Sequence, residues 1–207
     1  VSIGSLRNVY GTLLNSRAEF EAWAPQMTEA PYKAPPQAPV LYIKPANTWS
    51  ADGGDIVLPA TVPEVEIGAT VAMLMKAPGQ VAGYLLMNDL SVPHASYFRP
   101  PTRFKCPDGF LGIGGTLLAA GAAVDPSRFV LEVRINGELK QTVTFDQLVR
   151  TPAQLLADVG EFMTLGAGDA LMLGLGAGRP RARARDLIEI TCAGLGRLGN
   201  RLVAEAA

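Results

Sequence analysis

Only two cysteines, Cys106 and Cys192, occur among the 207 residues, far apart and without the CxxC or Cys/His spacing of a metal framework. Neither a disulfide scaffold nor a zinc site is expected, and a reducing cytoplasm suits such a chain. Histidine is scarcer still, since His94 stands alone. With no GxSxG elbow to supply a nucleophile, a Ser/His/Asp hydrolase is disfavoured and His94 is expected to order a loop. An excess of charge is also missing: the formal net charge of -1 leaves no basic surplus to neutralise phosphates, so nucleic acid is not an expected partner. No apolar run reaches the ~18 residues that a membrane span needs. The opening "VSIGSLRNVYG" lacks the basic and then apolar regions of an export signal, so neither membrane nor export is expected.

What the chain does have is 48% hydrophobic residues with 22 glycines and 16 prolines, the composition of a turn-rich, strand-rich globule. The length suits one domain over residues 1–207. Phe20, Trp23 and Met27 recur at helical spacing in "RAEFEAWAPQMTE" (17–29). The Pro-rich "APYKAPPQAP" then reads as an extended loop and "VLYIKP" as a strand carrying Lys44 near its end. In "RFVLEVRINGELKQTV" two alternating strands flank Asn136 and Gly137, the dipeptide of a type I′ hairpin turn. "TPAQLLADVGEFM" reads as a helix with Thr151 as N-cap and Pro152 at its first position. Later apolar segments return to strands, and no sustained βαβ alternation is visible. The fold class is therefore α+β, mostly β.

Strand periodicity in "VPEVEIGATVAML" (62–74) puts Glu64 and Glu66 on one face and Val65, Ile67, Ala69, Val71 and Met73 on a core face. By pattern alone, the carboxylate face is that of a half-exposed, solvated strand. Asp89 ends the next apolar run, "VAGYLLMNDL", about one hairpin later. Three carboxylates brought together there would repel unless a hard divalent cation were bound. The irregular stretch 91–109, "SVPHASYFRPPTRFKCPDG", is long enough to expect a functional loop, and it holds Arg99 and Lys105. In "RPRARARD", Arg179, Arg181, Arg183 and Arg185 recur at period two. A charged edge strand is the first reading and an anion-facing or partner-facing stripe the second. The glycines of "LGIGG" and "LGLGAG" lack the spacing and βαβ setting of a dinucleotide loop.

Taken in order, "VLYIKPANT", "EVEIGATVAM", "AGYLLMNDLS", "YFRPPTRFKCPDGFLGIG", "EFMTLGAGDALMLG" and "GLGRLGNRLV" resemble the fumarylacetoacetate hydrolase family across nearly the whole chain. The resemblance implies a mixed β-sheet roll with a few short helices. It implies Mg²⁺ or Mn²⁺ held by Glu64, Glu66 and Asp89, with Lys105 meeting the substrate, Lys44 and Arg99 binding its distal carboxylates and Glu19 carrying a proton. Glu19 falls where the family has a histidine. The implied substrate is a small 2-oxo or 2-hydroxy-dienoic di- or tricarboxylate, and the implied assembly is a homodimer or a pairing with a paralogous subunit. The implied reaction is metal-dependent decarboxylation of 5-oxopent-3-ene-1,2,5-tricarboxylate, isomerisation of 2-hydroxyhepta-2,4-diene-1,7-dioate, or both. The alternatives are C–C hydrolysis of an acylpyruvate and a degenerate, non-catalytic subunit.

Overall fold

The structure is a computed structural model that describes residues 3–95 and 101–206. Among these residues the chain is mostly strand. The long hairpin of Ala69–Ala77 and Gln80–Asp89 lies at the centre of an eight-stranded sheet. From edge to edge that sheet runs Val40–Lys44, Asn8–Leu13, Asp169–Met172, Ala69–Ala77, Gln80–Asp89, Leu111–Ile113 and Trp49–Ala51, with Leu118–Ala119 also paired to Gln80–Asp89. It is mixed, because Asn8–Leu13 runs parallel to Asp169–Met172 and Trp49–Ala51 parallel to Leu111–Ile113.

The two edge strands of this sheet are near neighbours in sequence, joined through the 3-10 turn Ala46–Thr48. A sheet with its edges tied so closely has to curl. Laid flat, Val40–Lys44 would sit four strands, or about 19 Å, from Gln80–Asp89. Instead Tyr42 and Lys44 touch Asp89, so the sheet is a roll.

A second sheet of five strands, Glu138–Thr144, Val130–Ile135, Leu187–Cys192, Gly196–Ala204 and Asp55–Leu58, covers the outside of the roll. Val71, Met73 and Leu86 share a buried cluster with Leu131, Val133, Ile190 and Leu198 and with Leu155 and Val159 of the helix Pro152–Gly160. The alternate residues Ala72, Leu74, Leu85 and Met87 point the other way and join Val9 and Tyr42 in a second cluster. The half-exposed strand expected around residues 69–74 is therefore buried on both faces. Its partner sheet covers one side and the curl of its own sheet covers the other.

Local signals behave as their chemistry demands. Asn136 and Gly137 take φ of 53° and 82° at the hairpin tip, and Thr151 Oγ1 caps its helix by accepting from the Gln154 N–H at 3.2 Å. The helix expected over 17–29 is α-helical only over Arg17–Trp23. Pro25 brings no N–H, and the chain tightens into the 3-10 turn Ala24–Gln26. The strand expected over 62–74 is broken into Val65–Glu66 and Ala69–Ala77, with Gly68 in the break.

Candidate active site

Alternation along Gln80–Asp89 puts Asp89 on the inner face with Leu85 and Met87, at the strand's end, where it is 1% exposed. Three groups converge on its carboxylate. The Tyr42 hydroxyl donates to Oδ2, and Lys105 Nζ donates to the same oxygen at 2.8 Å. Lys44 Nζ lies 2.9 Å from Oδ1 as a charge contact, without an aligned hydrogen bond. The ammonium of Lys44 instead donates to the carbonyls of Phe110 at 2.8 Å, Leu90 at 3.4 Å and Lys105. It is wholly buried, and these bonds tie it to the segment around Lys105.

Two glycines make this convergence possible. A Cβ on Gly11 would fall 2.0 Å from the Tyr42 ring, so only glycine lets the ring cross the neighbouring strand toward Asp89. A Cβ on Gly68 would fall 2.3 Å from the Asp89 carbonyl oxygen. Lys105 comes from the short helix Thr102–Lys105 within the long irregular stretch, and its ammonium lies 4.7 Å from the Tyr42 ring centroid. Burial by itself would raise the Asp89 carboxyl. The charges of Lys105 and Lys44 and the hydrogen bonds from Lys105 and Tyr42 outweigh it and hold the group at about 2. Burial, with the Asp89 charge next, pushes Tyr42 well above its usual value, so the phenol stays a donor.

Beside this cluster lies a second one. Glu19, in the first turn of Arg17–Trp23 and 3% exposed, accepts from the Leu14 N–H at 3.0 Å through Oε2 and from Arg179 Nη1 at 2.8 Å through Oε1. Arg179 also forks onto Glu66 Oε2, with Nη2 at 2.9 Å and Nε at 3.1 Å. Arg181 and Arg183 take Glu64, at 2.5 and 3.3 Å. The hydrogen bond from Arg181 leads in holding that carboxyl below its usual range. The register explains these pairs: Arg181–Ala182 runs antiparallel to Val65–Glu66 with Arg181 opposite Glu66, so one period-two row of arginines meets the period-two glutamates. Glu19, Trp23, Glu66, Gly178, Arg179 and Arg181 line a cleft of about 220 Å³. The Glu66 N–H donates to the Ser91 carbonyl at 2.8 Å and the Asp89 N–H to the Gly68 carbonyl at 2.9 Å, which makes the two clusters neighbours.

Of the residues singled out in the sequence, Asp89, Lys105 and Lys44 are brought into direct contact, and Glu19 and Glu66 are joined through Arg179. Glu64 turns to the more exposed Arg181 and Arg183. Arg99 lies outside the described residues. His94 holds a loop, its Nδ1 3.0 Å from the Val92 carbonyl and its ring stacked on Phe104. A cation held by Glu64, Glu66 and Asp89 requires those oxygens to face one another, and among the described residues no three acidic, histidine or cysteine side chains are placed to hold a metal. Each carboxylate already has a positive partner of its own. As arranged, these side chains do not fit a divalent cation. The sequence did not single out Tyr42, and it showed Arg179 only as one of a row of four arginines whose first reading was a charged edge strand. The signal for Arg179 was the shared period of "RPRAR" and "EVE"; Tyr42 offered only its same-face spacing from Lys44.

The family model described as fumarylacetoacetate (FAA) hydrolase C-terminal matches residues 8–203. The 4-hydroxyphenylacetate degradation bifunctional isomerase/decarboxylase of Salmonella dublin is 37% identical over 95% of this chain, which spans about half, 47%, of that relative's length. Among solved structures, the 5-carboxymethyl-2-hydroxymuconate delta-isomerase of Mycobacterium smegmatis superposes with a TM-score of 0.81 at 24% identity, covering 98% of this chain and 81% of the other. The fumarylpyruvate hydrolase of Pseudomonas aeruginosa, solved with Mn²⁺ and pyruvate, superposes at 0.80 with 22% identity, covering 97% and 91%. At these identities the two structures establish the fold.

Proposed function

The chain belongs to the fumarylacetoacetate hydrolase family, and from that premise we propose that it acts on a 2-oxo or 2-hydroxy-dienoic di- or tricarboxylate as an isomerase/decarboxylase. The preferred reactions are loss of CO₂ from 5-oxopent-3-ene-1,2,5-tricarboxylate and isomerisation of 2-hydroxyhepta-2,4-diene-1,7-dioate. The observation that carries this reading is the 37% identity, over 95% of the chain, to one half of an enzyme bearing both activities in its name. A cleft edged by Arg179 and Arg181 supports it, since guanidinium forks suit a ligand with several carboxylates.

In this reading Arg181 and Arg179 hold substrate carboxylates. When the allylic C–CO₂ bond breaks, its electron pair moves through the double bond onto the ketone oxygen. The Lys105 ammonium, whose hydrogen bond to Asp89 leaves further N–H groups, stabilises that oxyanion. Glu19 moves the proton: it takes one from the dienol oxygen and returns one to the chain carbon in isomerisation. The Leu14 N–H keeps its carboxyl aimed, and a substrate carboxylate on Arg179 competes with the other oxygen for the guanidinium. Assembly with a second copy or with a paralogous half is part of the proposal.

The test is turnover of both substrates, followed by CO₂ release and by the change in dienol absorbance, for the wild type, Glu19→Gln and Lys105→Met. Loss of a general acid/base costs about 10²–10⁴-fold, so Glu19→Gln should fall by that much in isomerisation. Unchanged rates in both variants would overturn the assignment of roles. A second reading, a non-catalytic half that supports a paralogue, is favoured by one observation: each carboxylate in the site is already neutralised within the chain. No turnover alone, with stimulation of a paralogous chain, would select it.

A further inference from the structure

Three carboxylates sit in or beside the buried part of the site, Asp89, Glu66 and Glu19, and three cations face them, Lys44, Lys105 and Arg179. Among these six side chains the charges balance. Arg179 is what makes it so on the cleft side: its side chain is 14% exposed and spans from Glu19, 3% exposed, to Glu66, 17% exposed, with three hydrogen bonds of 2.8, 2.9 and 3.1 Å. Without it, Glu66 would be left with Arg181, 3.9 Å away and 54% exposed, and two poorly solvated carboxylates on one wall favour a closer cation. With it, an added divalent ion would meet a guanidinium already hydrogen-bonded to both carboxylates.

We propose that Arg179 occupies the electrostatic place of a divalent cation in this chain, so that Mg²⁺ or Mn²⁺ binds at Glu66 only when the arginine is removed. The placement is built into the backbone. Gly178 takes φ of 64° in a bend just before Arg179, and the Pro180 carbonyl then accepts from the Ile67 N–H at 2.9 Å. That bond and the pairing of Arg181 with Glu66 fix Arg179 beside the glutamate. A guanidinium differs from a metal in one respect that matters chemically. It donates hydrogen bonds to an oxyanion, but it has no open coordination position on which to acidify a water. A site closed by Arg179 can bind and polarise a carboxylate-rich ligand without generating a hydroxide nucleophile.

The test reads metal binding and leaves turnover aside, so an error in the substrate class would not affect it. The chain is freed of metal with chelator, and Mn²⁺ is titrated against it by calorimetry and by the paramagnetic resonance of free Mn²⁺, with the thermal midpoint followed in parallel. The wild type should show no saturable binding and no midpoint shift. Arg179→Met should bind Mn²⁺ at least about tenfold more tightly than the wild type, and adding Glu66→Gln to it should remove the gain. Arg179→Lys, which keeps the charge, should stay as silent as the wild type. If Arg179→Met does not fold, Arg179→Gln, which keeps an amide donor for the two carboxylates but lacks the charge, takes its place and carries the same expectation. Saturable wild-type binding that Glu66→Gln weakens would overturn the proposal. So would a folded arginine-free variant that gains nothing.

Discussion

Replacing Lys44 by methionine isolates the innermost contact of the site. Methionine has nearly the same length and fits the same buried channel, so the change removes a charge with little loss of volume. What is lost is the ammonium 2.9 Å from Asp89 Oδ1 and the donors to the carbonyls of Phe110, Leu90 and Lys105. Breaking a buried ion pair from one side costs about 3–5 kcal/mol. Asp89 keeps Lys105 and Tyr42, which favours the lower end, about 3 kcal/mol. For a chain of this size, that lowers the thermal midpoint by roughly 10 °C. Urea unfolding of the wild type, Lys44→Met, Asp89→Asn and the double variant measures it. The double variant should cost less than the two singles together by about 1–3 kcal/mol, because each single leaves the other's charge stranded. A Lys44→Met loss under about 1 kcal/mol, or simple additivity, would refute the idea that this pair braces the site.

The Asp89 carboxyl is held at about 2 in the folded chain, below its ordinary 3.8, so its contribution to stability is present above pH 4 and is lost as the pH falls toward 2. That contribution is about 2 kcal/mol, and urea melts between about pH 5 and 2 should show a slope that Asp89→Asn abolishes. An identical acid slope in both proteins would count against it. Gly11→Ala should drive the Tyr42 ring off Asp89, because the new methyl would fall 2.0 Å from a ring carbon; the loss is expected at about 1–3 kcal/mol by urea unfolding, and a neutral substitution would show that the ring has room to move.

What the sequence made legible is what depends on near neighbours. The hairpin at Asn136–Gly137, the capped helix at Thr151 and the strand ending in Lys44 each carry their determinants within a few residues. The family resemblance assigned Asp89 to a metal and Lys105 and Lys44 to the substrate, and the structure joins these three side chains to one another. The partners of Glu64 and Glu66 were not legible. Their ion pairs depend on the register of the two-residue pairing between Val65–Glu66 and Arg181–Ala182, which distant parts of the chain fix. Tyr42 was hidden for a similar reason: its contact with Asp89 exists only because the sheet rolls and because Gly11 lacks a side chain. A strand read alone could show that Glu64 and Glu66 share a face, but not whether water, a metal or an arginine lies above it.

In the function proposed above, the site releases CO₂ or moves a double bond without an activated water. This is tested most directly by giving the purified chain, alone and with a paralogous half, 5-oxopent-3-ene-1,2,5-tricarboxylate carrying ¹³C in its allylic carboxylate, in the same tube as an acylpyruvate, and following both by ¹³C and ¹H NMR. The account predicts labelled CO₂ and the dienol product from the first compound and no pyruvate from the second. Rapid pyruvate from the acylpyruvate, with the label left in place, would contradict it.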